Sequence, residues 1–168
     1  MQAVSVQRLA AFRGSGVQRG PALSVLFLLR HGEAEPAGAH DDLRRLTDRG
    51  WQQVRRAAGL LPVEGLTLYH SPYVRTVESA QAIREHISVR SEQAARWLTP
   101  DTVPEEALAQ LELLSGQSLL LVTHNPLVTR LAALLSAQPE TAVTFGTGSV
   151  ARLSGGRYLA GCLTFEWL

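Results

Sequence analysis

Three short segments combine the residue types that bind and transfer oxyanions. Leu29-Arg30-His31-Gly32-Glu33-Ala34 follows the apolar run Val25–Leu29. His70-Ser71-Pro72-Tyr73-Val74-Arg75 follows Leu66–Tyr69, and Val122-Thr123-His124-Asn125-Pro126 follows Leu119–Val122. A guanidinium presents a planar fork of donors that matches phosphate oxygens. A neutral imidazole offers one lone pair for attack and one N–H for a hydrogen bond. Taken singly, an Arg after a strand is commonly a surface residue, and a His beside Gly a turn residue. The same placement repeated at three strand ends makes Arg30, His31, Arg75 and His124 candidates for one anion site. No matching carboxylate cluster accompanies them, and the histidines lack zinc-finger spacing. The chemistry is therefore expected to need neither metal nor cofactor.

These segments require elements that bring them together. Val25–Leu29 is apolar throughout, as in a strand buried on both faces. Asp48–Leu61 carries Trp51, Val54, Ala58 and Leu61 at helical spacing, with Thr47 as N-cap and Pro62 as a stop. Leu66–Tyr69 reads as a second strand, followed by a helix that Ser71 caps with Pro72 at its first position, running through Val74, Val77, Ala80, Ile83 and Ile87. Ser88–Glu92 is a short strand, Glu105–Leu114 a helix and Leu119–Val122 a strand. Asn125-Pro126 opens a helix bearing Leu127, Leu131, Leu134 and Leu135. Ala142–Phe145, Ser149–Leu153 and Leu159–Trp167 are strand-like and joined by glycines. Strand–helix alternation followed by strands predicts a three-layer α/β/α domain with a mostly parallel, mixed sheet. In such sheets ligands bind beyond the carboxyl ends of the strands, where helix N-termini attract anions.

Composition narrows the surroundings. The chain has 168 residues, 45% of them apolar, and a net charge of +1. That is the size of one domain with its own core, and the balance of charge gives no sign of nucleic-acid or membrane binding. Residues 25–168 are expected to form that domain. Residues 1–24 hold Arg8, Arg13 and Arg19 but no acidic residue; they read as a disordered or mis-assigned extension, with an organelle transit peptide as the other reading. A lone cysteine, Cys162, fits a reducing cytoplasm and is expected to pack in the core. His40, His70 and His86 are expected to be surface or structural residues.

In the three motif segments the chain resembles the histidine phosphatase superfamily, with its phosphoglycerate-mutase-like fold. The resemblance runs from Val25 to the C-terminus. More narrowly, Arg44-Arg45-Leu46-Thr47 with Gly50, Leu98-Thr99-Pro100 and His124-Asn125-Pro126 are similar to the SixA-type phosphohistidine phosphatases. The resemblance implies that His31 accepts phosphate, that Arg30, Arg75 and His124 hold the phosphoryl oxygens, and that Arg44 contributes to substrate binding. A phosphoryl group would raise the His124 pKa and favour hydrogen-bond donation from it. The general acid is left open among Asp101, Glu33, Glu105 and Glu106. Thr76-Val77-Glu78-Ser79 departs from the family's usual Ala-x-Gln-Thr and is expected to bring the Glu78 carboxylate to the pocket side of its helix. Short connections with no helical lid suggest a shallow, open pocket. The expected activity is hydrolysis of phosphohistidine on a protein by a monomer. The alternatives are a small-molecule phosphomonoesterase and a phosphate-binding module without turnover.

Overall fold

The computed structural model describes residues 24–38 and 40–168. The N-terminal extension, apart from Ser24, lies outside the described residues. Six strands form one sheet: β1 (Ser24–Arg30), β2 (Glu64–His70), β3 (Ser88–Ala94), β4 (Ser118–Thr123), β5 (Val150–Gly155) and β6 (Thr164–Trp167). Their order is β3-β2-β4-β1-β5-β6. The first four are parallel, while β5 and β6 pair antiparallel at one edge. The helices are α1 (Asp48–Ala58), α2 (Val74–Arg84), α3 (Pro104–Leu113) and α4 (Leu127–Ser136). This is the three-layer mixed α/β architecture that the alternating pattern predicts.

The two faces of β1 explain its unbroken apolar run. Leu26 and Leu28 pack with Ala107, Leu111, Leu127 and Leu131 of α3 and α4. Phe27 and Leu29 pack with Val54, Ala58, Ala80 and Ile83 of α1 and α2. Each such side chain contributes about 1.5–3 kcal/mol on leaving water, so neither face of the strand tolerates a polar residue. β1 begins one residue earlier than its apolar run, because the Ser24 hydroxyl donates to the Gly156 carbonyl and accepts from the Gly116 N–H.

The sequence misplaces several boundaries. Thr47 does cap α1, its hydroxyl accepting from the Gly50 N–H at 3.0 Å. α2 starts at Val74, however, with Tyr73 as the residue before it. The Ser71 carbonyl is taken by the His70 ring and the Thr76 hydroxyl, which turns the chain once before the helix begins. Asn125 does not cap α4. Its amide donates to the Phe145 carbonyl and accepts from the Thr129 hydroxyl, and the helix starts at Leu127. Residues 142–145 are not a strand. The edge of β1 they would need is already paired with β5, so Val143 and Phe145 plug the core from an irregular segment. Cys162 is exposed, in a turn closed by its own N–H to the Leu159 carbonyl, and does not pack in the core. His40 and His86 are exposed, whereas His70 is buried.

Candidate functional site

Register brings the three motif segments together. Arg30 lies opposite Thr123, and His70 lies opposite Val122. β4 stands between β1 and β2, so the three strands end side by side and deliver His31, His124 and the loop to Arg75 at one edge. The exit from β1 is pinned by the His31 N–H to the Thr123 carbonyl at 3.0 Å, and that from β2 by the Ser71 N–H to the Val122 carbonyl at 3.1 Å. The Gly148 N–H donates to the carbonyls of Arg30 and His31, closing a turn over the same loop. Gly32 and Gly50 are required by close approach. A Cβ on Gly32 would run into the Gly50 carbonyl, and one on Gly50 into the Glu33 carbonyl.

The tautomer of His31 is set by geometry. Its Nδ1 lies 2.7 Å from the Gly32 carbonyl oxygen, which can only accept. The proton therefore sits on Nδ1, and Nε2 carries the lone pair. Arg75 Nε donates to that Nε2 at 3.2 Å. Burial, opposed by the Gly32 hydrogen bond and reinforced by the charges of Arg75, Arg30 and Arg44, holds the His31 pKa down to about 4. The ring is therefore neutral at neutral pH. This arrangement presents an unprotonated nitrogen to a cationic space, which suits attack on an electrophilic oxyanion centre.

His124 faces His31 edge-on, with ring centroids 5.0 Å apart. It is 1% exposed, and neither of its ring nitrogens has a hydrogen-bond partner among the described residues. Burial first, then the charges of His31, Arg75, Arg30 and Arg44, push its pKa down to about 2. A phosphoryl dianion would oppose the effect of the charges, but even the neutral ring has one N–H to donate. Arg30 donates from Nη1 to the Phe145 carbonyl at 2.9 Å, and its buried Nε has no partner among the described residues. The one N–H of the neutral His124 ring and the Arg30 Nε–H are unpaired buried donors, which fit an oxyanion as acceptor.

Arg75 and Arg44 are linked by a residue the sequence reading missed. Asp41 Oδ2 lies 2.9 Å from Arg75 Nη2, and its Oδ1 lies 2.9 Å from Arg44 Nη1. Arg75 Nη1 also donates to the Asp41 backbone carbonyl. The available signal was the three-residue spacing of Asp41 and Arg44, which is no stronger than any surface pair. Tyr73 was also missed: its ring lies 5.1 Å from that of His124 and under the Arg75 guanidinium. The shallow, open pocket is corrected by the same contacts. The connection 31–47 between β1 and α1 lays Asp41 on Arg75, and His31 is only 7% exposed.

The candidate acids scatter. Glu33 turns to the Thr47 hydroxyl at 3.0 Å and to Arg49 at 3.4 Å, bracing the start of α1. Glu105 lines a groove between α3 and α4 together with Arg130, and Glu106 is exposed beside it. Asp101 is exposed in the turn before α3, where its charge, after burial, helps raise the Tyr73 phenol pKa. Glu78 does not reach the pocket. Its carboxylate is consumed by the Arg45 guanidinium and the Leu46 N–H, both at 2.7 Å. Its neighbour Ser79 does serve the site, accepting from the Gly32 N–H and donating to the Arg75 carbonyl.

A three-layer α/β sheet that gathers two imidazoles and three guanidiniums beyond its parallel strand ends defines an oxyanion-handling protein. Residues 26–98 match the family model of the histidine phosphatase superfamily, branch 1. The phosphohistidine phosphatase SixA of Escherichia coli strain K12 is 30% identical over 149 residues, covering 84% of this chain and 91% of that protein. A SixA homolog of Haemophilus influenzae is 28% identical over 142 residues, covering 76% of this chain and 86% of its own. The chain belongs to the histidine phosphatase superfamily, a family of phosphatases. Among solved structures, the protein histidine phosphatase SixA complexed with tungstate superposes with a TM-score of 0.73 at 27% identity, covering 85% of this chain and 94% of that one.

Proposed function

We propose that this protein hydrolyses phosphohistidine on a protein through a covalent phospho-His31 intermediate. The observation that carries the reading is the His31 ring, protonated at Nδ1 by its contact with Gly32 and offering Nε2 to the cationic space. In the first step the Nε2 lone pair attacks phosphorus, and the phosphorus–nitrogen bond to the substrate imidazole breaks as the new one forms. Arg30, Arg75, Arg44 and the His124 N–H take the charge of the phosphoryl oxygens. In the second step water attacks phosphorus, Nε2 leaves with the bonding pair, and inorganic phosphate is released.

Two supports favour an imidazole leaving group. Glu33 is committed to Thr47 and Arg49, Glu105 lines a groove between α3 and α4, and Asp101 is exposed. A substrate imidazole titrates near pH 6.5 when free, so solvent can protonate it as it departs, whereas an alkoxide needs a stronger acid. Two relatives of this chain are named for phosphohistidine, and a similar solved structure, a protein histidine phosphatase SixA, is complexed with tungstate, a tetrahedral oxyanion.

The test is a substrate panel with a chelator present. A protein carrying phosphohistidine should lose phosphate faster than sugar phosphates or nucleotides. The reverse ranking identifies a small-molecule phosphomonoesterase. Quenching in alkaline detergent, which spares the acid-labile phosphorus–nitrogen bond, should leave radiolabelled phosphate in the peptide containing His31; binding without any labelled peptide or turnover identifies a phosphate-binding module.

A further inference from the structure

Arg75 is the most tightly engaged cation of the site. Its side chain is 4% exposed, and both terminal nitrogens are taken by Asp41. The two Asp41 carboxylate oxygens sit on different guanidiniums, one on Arg75 and one on Arg44, each at 2.9 Å. Two oxygens of a phosphoryl group would bridge the same pair in the same way. The third Arg75 nitrogen, Nε, donates to the His31 lone pair at 3.2 Å. A phosphoryl group bridging Arg44 and Arg75 at these atoms therefore has to displace a carboxylate of the protein itself.

The segment that carries Asp41 is built for such an exchange. Its base is closed by the pairing of Ala34 with Leu46, by the Glu35 N–H to the Arg45 carbonyl at 2.9 Å and by the Thr47 N–H to the Glu33 carbonyl at 3.0 Å. Its tip is the short 3-10 turn Asp41–Leu43, which has no buried residue. The Asp41 side chain is 48% exposed, so its pair with Arg75 is half in water. Displacing the tip uncovers no core, while a buried cation left without an anion is costly. A phosphoryl group brings about −1.5 to −2 charge and three acceptor oxygens against one carboxylate, and wins the exchange.

We propose that Asp41 is an internal competitor for the phosphoryl seat between Arg44 and Arg75, screening out weaker anions before reaction and helping to expel inorganic phosphate after it. This rests on the reading of Arg75 and Arg44 as phosphoryl ligands. The experiment measures inorganic phosphate binding to the full chain by calorimetry at pH 7.5, together with product inhibition by phosphate. Asp41→Asn and Asp41→Ala should bind phosphate about five- to thirty-fold more tightly than wild type, with correspondingly stronger product inhibition. Asp42→Asn, which removes the same charge next door, should change little. Unchanged or weaker binding in both Asp41 variants makes Asp41 a support for Arg75 and overturns the inference. Equal tightening in Asp42→Asn overturns it too, by showing a general charge effect. Failure of wild type and both Asp41 variants to bind phosphate at all overturns the phosphoryl site on which it stands.

Discussion

His31 and His70 leave the strands on either side of β4 in the same local geometry. His31 follows β1 and places Nδ1 2.7 Å from the carbonyl of Gly32; His70 ends β2 and places Nδ1 2.7 Å from the carbonyl of Ser71. Both rings are buried. In each the next residue's carbonyl holds Nδ1 as a donor and leaves Nε2 to its surroundings. Those surroundings differ in sign. Nε2 of His31 meets Arg75, with Arg30 and Arg44 nearby. Nε2 of His70 meets Glu92 at 3.4 Å, which is itself paired with Arg84 at 3.0 Å. The local motif prepares an imidazole with one free nitrogen. Only the neighbours across the sheet decide whether that nitrogen faces a site for anions or finishes a structural network.

The comparison is broken most sharply by exchanging which histidine is removed. His31→Ala should reduce phosphohistidine hydrolysis by at least about 10³-fold with the circular dichroism spectrum preserved; residual turnover near wild type would remove its proposed role. Arg75→Ala should come next, lowering kcat by about 10²–10³-fold and raising KM as well, because the guanidinium would stabilise the phosphoryl oxygens in the substrate and more strongly in the transition state. Unchanged steady-state kinetics would place that guanidinium outside the reaction.

The pH dependence follows from the depressed His31. Its pKa lies at about 4 rather than the ordinary 6.5, so the attacking nitrogen stays unprotonated through mild acid. The acid limb of kcat/KM, traced with a substrate that does not titrate in this range, should fall well below pH 6.5. A limb at pH 6.5 would mean that neither burial nor the cations depress the ring's pKa. Stability should move in the same window. The unfolded histidines take up protons near pH 6.5 that folded His31 and His124 do not, so stability is full above that pH and declines as pH falls toward 4. Urea midpoints measured across that range would show it. The smallest catalytic effect belongs to His70→Ala. Loss of its buried hydrogen bond should cost about 1–3 kcal/mol by denaturant titration while turnover stays close to wild type. A loss of turnover as large as that of His31→Ala would merge the two histidines into one site.

Much of the architecture was legible because it rests on local rules. The unbroken apolar run Val25–Leu29 announced a strand covered on both faces, and Thr47 announced the start of α1. The gathering of Arg30, His31, Arg75 and His124 was legible because each stands at or shortly after a strand end, and parallel strands in one sheet end together. Residues 142–145 misled because an apolar alternation is compatible with any buried segment, and only the pairing of β1 with β5 excluded a strand there. Glu78 misled because nothing local shows that Arg45, thirty-three positions away, will take its charge.

The sequence by itself determined which side chains stand at the strand ends, since residue order along a strand and its helix is a matter of covalent spacing and burial. Tertiary structure decided what those side chains face. Asp41 on Arg75, Glu92 on His70 and Arg45 on Glu78 are contacts between segments remote in the chain. Charge acts through space, over a few ångströms, and the chain carries no local record of which distant group folding will bring that close.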